Sequence, residues 1–358
     1  MTQKEKELFL SLCSFVSPNK EKIEKLICKG AATPQLLGYL FANRMAGVAY
    51  GVLEKTELLS CVDREFRNSL RGAYVLNEKT NSEFFSCLNY LSAQLKTCAV
   101  PYAMLKGAYL CGKYPSGFRT SCDIDILINP EDIGTVSAKL KEAGFKQGYI
   151  RNGKFVQATR QQIIQSKMTR GETVPFIKEI LLPYIKYLEV DLNFSLDYKN
   201  SDSDLSKKML DRAQTLTVKS AKIRTLCPQD FFLHLCAHLY KEATTLPWIE
   251  MKRDMTFYKY CDIYMLISQM SDREQNDILL AAQQFGLEKE LAYCLNSINS
   301  LFEIPHGKLW LYIAQRNVDD MTEVISPADK KTLRYTEKDV RRLFFTNDRT
   351  KLLREVII

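Results

Sequence analysis

The order of apolar and polar positions changes texture twice along the chain. Over the first hundred residues it follows a helical period. Between Pro34 and Glu54, LLGYLFANRMAGVAYGVLE carries apolar side chains at three- and four-residue spacing. The same period continues through 62–97, as one long helix or two, with Arg71, Glu78 and Glu83 on the polar side. Ser17-Pro18 and Thr33-Pro34 each set a capping residue before a proline at the first helical position, and Gly30 ends the helix that Pro18 starts. No strand signal precedes Val100.

The texture then shifts. Residues 100–105 (VPYAML) form a short apolar run broken at Lys106-Gly107, and Asp123 to Ile128 (DIDILI) alternates with period two, a strand. Asn129-Pro130-Glu131-Asp132 starts a helix that stops at Gly144. Residues 145–150 and 154–165 read as strands joined by a turn near Asn152-Gly153, and 184–196 hold another alternating strand. The most polar loop is 199–208. From about 226 the helical period returns: Pro228 opens a helix, and further helices are expected over 251–270, 272–285, 287–302, 308–324 and 327–356, the last opened by Pro327.

The pattern predicts an α+β protein with an N-terminal helical region (1–98), a small mixed-sheet core (99–225) and a C-terminal helical domain (226–358). A length of 358 residues agrees with about two domains. With 46% apolar and 26% charged residues the chain is neither disordered nor fibrous. No apolar run approaches the roughly 18 residues of a spanning helix. The start MTQKEKELFL lacks the basic stretch and apolar run of a secretory signal, so a cytoplasmic protein without membrane contact is expected. The eleven cysteines are scattered and form no CxxC pair, which argues against a zinc ribbon or a disulfide framework and makes most of them small core residues. The net charge of +8 is concentrated in 99–225, where 20 basic face 13 acidic residues; this suits a phosphate-bearing ligand.

The candidate chemistry lies in that middle stretch. On a strand, Asp123 and Asp125 point to one face while Ile124, Ile126 and Ile128 point to the other. Two carboxylates on one face suit Mg²⁺ or Mn²⁺ and can bridge the two ions of an in-line phosphoryl displacement. A third carboxylate is needed to orient or deprotonate the attacking group, and YLEVDLNF supplies Asp191, with Glu189 in reserve. Upstream, Lys106, Gly107 and Ala108 end a short strand and open a helix, whose free N–H groups suit a triphosphate. Arg119 and Ser121 are further phosphate partners.

The residues LKGAYL…YPSGFRTSCDIDILI, followed by NPEDI and KLKEAGF, resemble the polymerase-β-type nucleotidyltransferase superfamily. More narrowly, they resemble its bacterial nucleotidyltransferase family, with K-G-x-x-L, then R-x-x-x-D-I-D-[IL]-L-[IV], then V-[DE]-L-H. CPQDFFLHLCAHLYKE and KYCDIYML resemble that family's helical half. The resemblance implies transfer of a nucleoside monophosphate from an NTP to an acceptor with two divalent ions, with Asp123 and Asp125 as metal ligands and Asp191 as the third carboxylate. The chain departs from the pattern at Ala108, where a serine is frequent, and at Asn193, where a histidine is frequent. The first change bears on triphosphate binding, the second on the acceptor side.

His234, His238 and Glu242 share one helix face. They lack a further ligand group for zinc and suit packing, while His238 is also a candidate contact for nucleotide or acceptor. Six basic residues between 151 and 178 face only Glu172. They form a solvated face or an anionic-acceptor site, with no aromatic ladder to mark RNA. Three functions therefore stand: a nucleotidyltransferase acting on a small molecule or protein, a non-catalytic nucleotide-binding or protein-interaction module, and an RNA-modifying nucleotidyltransferase. The acceptor, the base and the oligomeric state are left open.

Overall fold

The computed structural model describes residues 1–196, 203–302, 307–309 and 323–356. They divide into two compact units: Met1–Tyr74 with Phe232–Ile358, and Val75–Phe231. The expected regions 1–98, 99–225 and 226–358 divide the chain along its sequence; these units divide it in space.

The helical unit holds α1 (Gln3–Cys13), α2 (Lys20–Cys28), α3 (Pro34–Ala42), α4 (Ala46–Lys55) and the first part of α5 (Arg64–Leu95). Thr33 caps α3 as expected, its hydroxyl accepting from Leu36 N at 3.2 Å, with Pro34 in the first turn. At α2 the start moves by two residues: Asn19, not Ser17, takes the cap by accepting from Lys22 N. Gly30 follows α2 at φ +72°, a left-handed conformation that glycine adopts without a Cβ clash. A single helix covers 64–95, so the one-helix alternative holds. The core of this unit is aromatic. Phe9 stacks edge-on against Tyr39 and Phe257 at 5.0 and 4.8 Å, and Tyr264 lies parallel to Phe302 at 4.1 Å.

The sheet unit carries six strands in the order β1-β2-β6-β5-β3-β4. These are β1 (Tyr102–Met104), β2 (Asp123–Ile128), β3 (Lys146–Arg151), β4 (Lys154–Gln157), β5 (Phe176–Glu179) and β6 (Tyr187–Asn193). Only β2 and β6 pair in parallel; their neighbours run antiparallel. The β3–β4 hairpin turns at Asn152 (φ +51°) and Gly153 (φ +72°), the two positive φ values a type I′ turn requires. Helix α6 (Gly107–Lys113) packs on β2, and α7 (Ile133–Glu142) ends before Gly144, as expected. The Asn129-Pro130 start forms one 3₁₀ turn, Pro130–Asp132, before α7, and Asn129 bonds to the Asp132 side chain instead of a backbone N–H. Ile124, Ile126, Ile128, Leu188, Val190 and Leu192 are fully buried on the aliphatic side.

Several expected elements differ. The strand over 154–165 is β4 followed by α8 (Arg160–Arg170), because Thr159 and Gln162 close a capping box that starts a helix. Part of the expected loop 199–208 is α9 (Ser203–Asp211), while 197–202 lie outside the described residues. A hairpin of β7 (Gln214–Val218) and β8 (Ala221–Thr225), unforeseen in the pattern, turns at Lys219 (φ +53°). The later helices are α10 (Pro228–Ala243), α11 (Leu246–Glu250), α12 (Phe257–Ile267), α13 (Asp272–Phe285) and α14 (Glu288–Leu301); 308–324 fall mostly outside the described residues. The helix expected over 327–356 is not formed. Pro327 instead sits in the turn between antiparallel β9 (Glu323–Ser326) and β10 (Lys331–Tyr335), followed by α15 (Val340–Phe344) and β11 (Leu353–Glu355). Proline suits the first central position of a turn as well as a first helical one, and Lys330 at φ +54° closes the reversal.

No single helix among the described residues is long and apolar enough to cross a membrane, although α3 and α4 pass that test as a pair bent by 118°. All eleven cysteines are free, and seven of them are buried.

Candidate active site

Parallel pairing brings the amino-terminal halves of β2 and β6 to the same end of the sheet. The register sets Asp123 beside Glu189 and Asp125 directly opposite Asp191. Period two keeps all four side chains on one face. Asp125 is 8% exposed, Glu189 and Asp191 are half-buried, and Asp123 is exposed at the strand's start.

Their neighbours come from both flanks. Lys106 lies between β1 and α6, and its Nζ donates to Asp125 Oδ1 at 2.8 Å. Its backbone stands at φ +44°, ψ −113°, an arrangement a non-glycine residue adopts only when its surroundings impose it. Ser121 Oγ donates to Asp123 Oδ1 at 2.8 Å. Gly107 makes room for that hydroxyl: a Cβ there would fall 2.3 Å from Ser121 Oγ and 2.4 Å from its Cβ. Ala108 is fully buried in the first turn of α6. The Arg119 side chain is mostly buried and donates to its neighbour's carbonyl, Thr120 O, while Asn81 Nδ2 holds Arg119 O at 2.6 Å.

Two further residues join the cluster. Asn193 Nδ2 donates to Asp125 Oδ1 at 3.2 Å, sharing that oxygen with Lys106. Its position on the acidic face of β6 was legible; its bond to a neighbouring strand required the register. Glu172 forms a bridge opposite Asn193 on the other flank of β6. In the sequence it was only the lone acid of a basic stretch.

The electrostatics divide the carboxylates. Although Asp123 stands at the strand's open start, desolvation by its neighbours raises its pKa; the Ser121 hydrogen bond and the Lys106 charge outweigh this and leave it below the usual carboxylate range. Burial, followed by the charges of Asp123 and Asp125, pushes Glu189 up. Burial, with Asp125, Glu189, Asp123 and Glu172 around it, pushes Asp191 well up. Carboxylates that oppose one another's ionisation in this way form a hard-oxygen donor set suited to a divalent cation. Among the described residues, no three His, Cys, Asp or Glu side chains surround a common ion position. Asp125 turns one oxygen to Lys106 and Asn193 instead. Lys106 provides the counter-charge to Asp125.

His238 belongs to the helical unit. Its Nε2 lies 3.3 Å from Glu242 Oε1, and Lys259 pairs with the other carboxylate oxygen. Of the six basic residues between 151 and 178, Lys178 is spent inside the fold: its Nζ donates to Ala143 O at 2.7 Å and lies 4.6 Å from the Tyr90 ring centroid.

Paired acids on adjacent strands thus stand beside a lysine and a helix start. The chain belongs to the family described as uncharacterised nucleotidyltransferase, whose match covers residues 30–303. Among solved structures it is similar to an antigenic nucleotidyltransferase-like protein from Paracoccidioides brasiliensis. The two share 16% identity over 61% of this chain and 94% of that one, with a TM-score of 0.34. A search of curated proteins finds no match.

Proposed function

We propose that the protein moves a nucleoside monophosphate from an NTP to an acceptor, a small molecule or a protein, with release of pyrophosphate and with Mg²⁺ or Mn²⁺ as cofactor. The observation that carries this reading is the register, which places Asp125 against Asp191 and Asp123 against Glu189 at the end of the sheet that also holds Lys106. Asp123, Asp125 and Asp191 would hold the metal, two ions in the full site. When bound, it would neutralise triphosphate charge and ease deprotonation of the acceptor.

The remaining roles fall to the chain. Asp191 orients the attacking group and receives its proton. The acceptor oxygen then forms a bond to the α-phosphorus as the bond from that phosphorus to the bridging oxygen breaks, and pyrophosphate leaves. The Lys106 ammonium, released from Asp125, meets the departing phosphates. Ser121 fixes Asp123 through its hydroxyl, and Asn193 fixes Asp125.

Two observations favour a non-catalytic nucleotide-binding module: Ala108 brings no hydroxyl to the start of α6, and Lys106 already neutralises Asp125. Incubation with each α-³²P-NTP, Mn²⁺ and a cytosolic extract separates the readings. Label transferred to an acceptor by the native chain, and not by Asp123→Asn/Asp125→Asn, supports transfer. NTP binding without transfer supports the module, and salt-sensitive labelling of RNA supports an RNA-modifying enzyme.

A further inference from the structure

A second concave site lies in the sheet unit, at the far end of β2 from the acidic residues. The C-terminal end of α5, the segment 96–101 and the β7–β8 hairpin enclose about 810 Å³. This is the size of a pocket for a mononucleotide-sized ligand. Its floor includes Tyr102, which pairs with Ile128, five residues along β2 from Asp123 and about 16 Å away at 3.3 Å per residue.

The walls are pinned. Asn89 Nδ2 donates to Ser220 O at 2.9 Å, and its Oδ1 accepts from Lys222 N at 3.2 Å, which ties α5 to the hairpin. Arg224 Nε donates to Tyr102 O at 3.2 Å, so the guanidinium is oriented. Lys222 and Arg224 are two apart on β8 and share a face, and Lys96 lines the groove from the helix side. The ionic lining thus comprises three cations, and no aspartate or glutamate belongs to it. Among the described residues, no carboxylate pairs with any of the three. Like charges gathered around a concavity concentrate positive potential there. Val100, Pro101 and Ile223 add apolar surface between them.

We propose that this groove binds a phosphorylated small molecule: the cations take the phosphate, and the apolar wall takes the body that carries it. A concavity of this volume, bounded by a helix end and a hairpin, suits a compact ligand better than an extended nucleic-acid strand. The site needs no metal and does not depend on the reaction proposed above.

The test uses the full chain in EDTA, where the acidic cluster has no cation to recruit an anion. AMP, glucose 6-phosphate and inorganic phosphate are titrated separately by calorimetry, and the first two differ only in the body attached to the phosphate. One-to-one binding of AMP or the sugar phosphate is expected, tighter than that of inorganic phosphate. Charge reversal in Lys96→Glu/Lys222→Glu, both exposed, is expected to weaken it by about tenfold or more while the melting temperature holds. Arg224→Lys, which keeps the charge but loses the fork, weakens it less. Asp123→Asn/Asp125→Asn leaves it unchanged. Absence of binding by all three probes overturns the proposal, as does equal affinity in the charge-reversed chain. Single-stranded RNA that binds through the same lysines more tightly than AMP also overturns it, by making the groove a nucleic-acid surface.

Discussion

Glu242 in the helical unit and Asp191 in the sheet unit are both carboxylates withdrawn from water, and their surroundings are opposite in sign. Glu242 is buried, yet the charges and hydrogen bonds of His238 and Lys259 outweigh that burial and hold its pKa far below the usual range. Asp191 is enclosed among Asp125, Glu189, Asp123 and Glu172, and burial together with those charges pushes it up. In the helical unit the chain neutralises its buried charge internally. In the sheet unit it leaves acids facing acids around Asp191, while Lys106 bonds to Asp125 and lowers Asp123. Under the function proposed above, that deficit is what a cation from outside would fill. Stability and function thus draw on different carboxylates, and substitution separates them.

The largest effect is expected at the acidic face. Asp123→Asn/Asp125→Asn should reduce transfer of α-label by about a thousandfold or more, with far-ultraviolet circular dichroism unchanged. Transfer within tenfold of the native rate would remove these residues from the chemistry. The opposite plan is tested at Asp254, fully buried and gripped by Arg349 through two bonds of 2.6 Å. Asp254→Ala leaves the guanidinium buried without its counter-ion, and unfolding by denaturant should show a loss of about 3–5 kcal/mol.

Glu242→Gln should cost about 2 kcal/mol at neutral pH, since one charge of a buried cluster disappears while a neutral hydrogen bond persists. The pH dependence follows from the direction of the shift. A carboxyl lowered in the folded chain contributes stability that is present above its unfolded value, near 4.5, and is lost as pH falls through the folded value. The gap in melting temperature between native chain and variant should therefore be widest near neutrality and narrow steadily in acid. A gap that widens in acid would mean that Glu242 is protonated in the fold.

The residues of the acidic face were legible because a strand's period is short and Asp123–Ile126 and YLEVDLN each show it. What the sequence withheld was register. That Asp125 faces Asp191, and not Glu189, depends on which strands neighbour one another, and β6 reaches β2 only after three strands and two helices of intervening chain. The bond from Asn193 to Asp125 and the place of Glu172 beside β6 stayed obscure for the same reason, since both are contacts across strands. Errors in secondary structure fell where one signal serves two elements. Pro327 after a serine reads as a helix start, yet it turns a hairpin. Thr159 with Gln162 is a capping box inside a stretch that otherwise alternates like a strand. The β7–β8 hairpin turns on Lys219-Ser220, a pair without the glycine or asparagine that usually marks such a turn.

The smallest effect has the sharpest sign. If Asp191 is held among like charges for the sake of a ligand, Asp191→Asn in EDTA should stabilise the chain by about 1 kcal/mol, because a carboxamide relieves repulsion without altering shape. Most substitutions of withdrawn polar groups destabilise, so a rise in melting temperature is informative even when small. Mn²⁺ should reverse the order. At a metal concentration about a hundredfold above the dissociation constant, binding adds about 2.7 kcal/mol to the native chain, and the variant, with a ligand lost, should gain much less. Glu242→Gln should respond to Mn²⁺ as the native chain does, since its carboxylate already has its cations. A native chain that Mn²⁺ leaves unmoved, together with an Asp191→Asn chain that melts lower in EDTA, would mean that the acids of β2 and β6 are balanced within the fold, as Glu242 is.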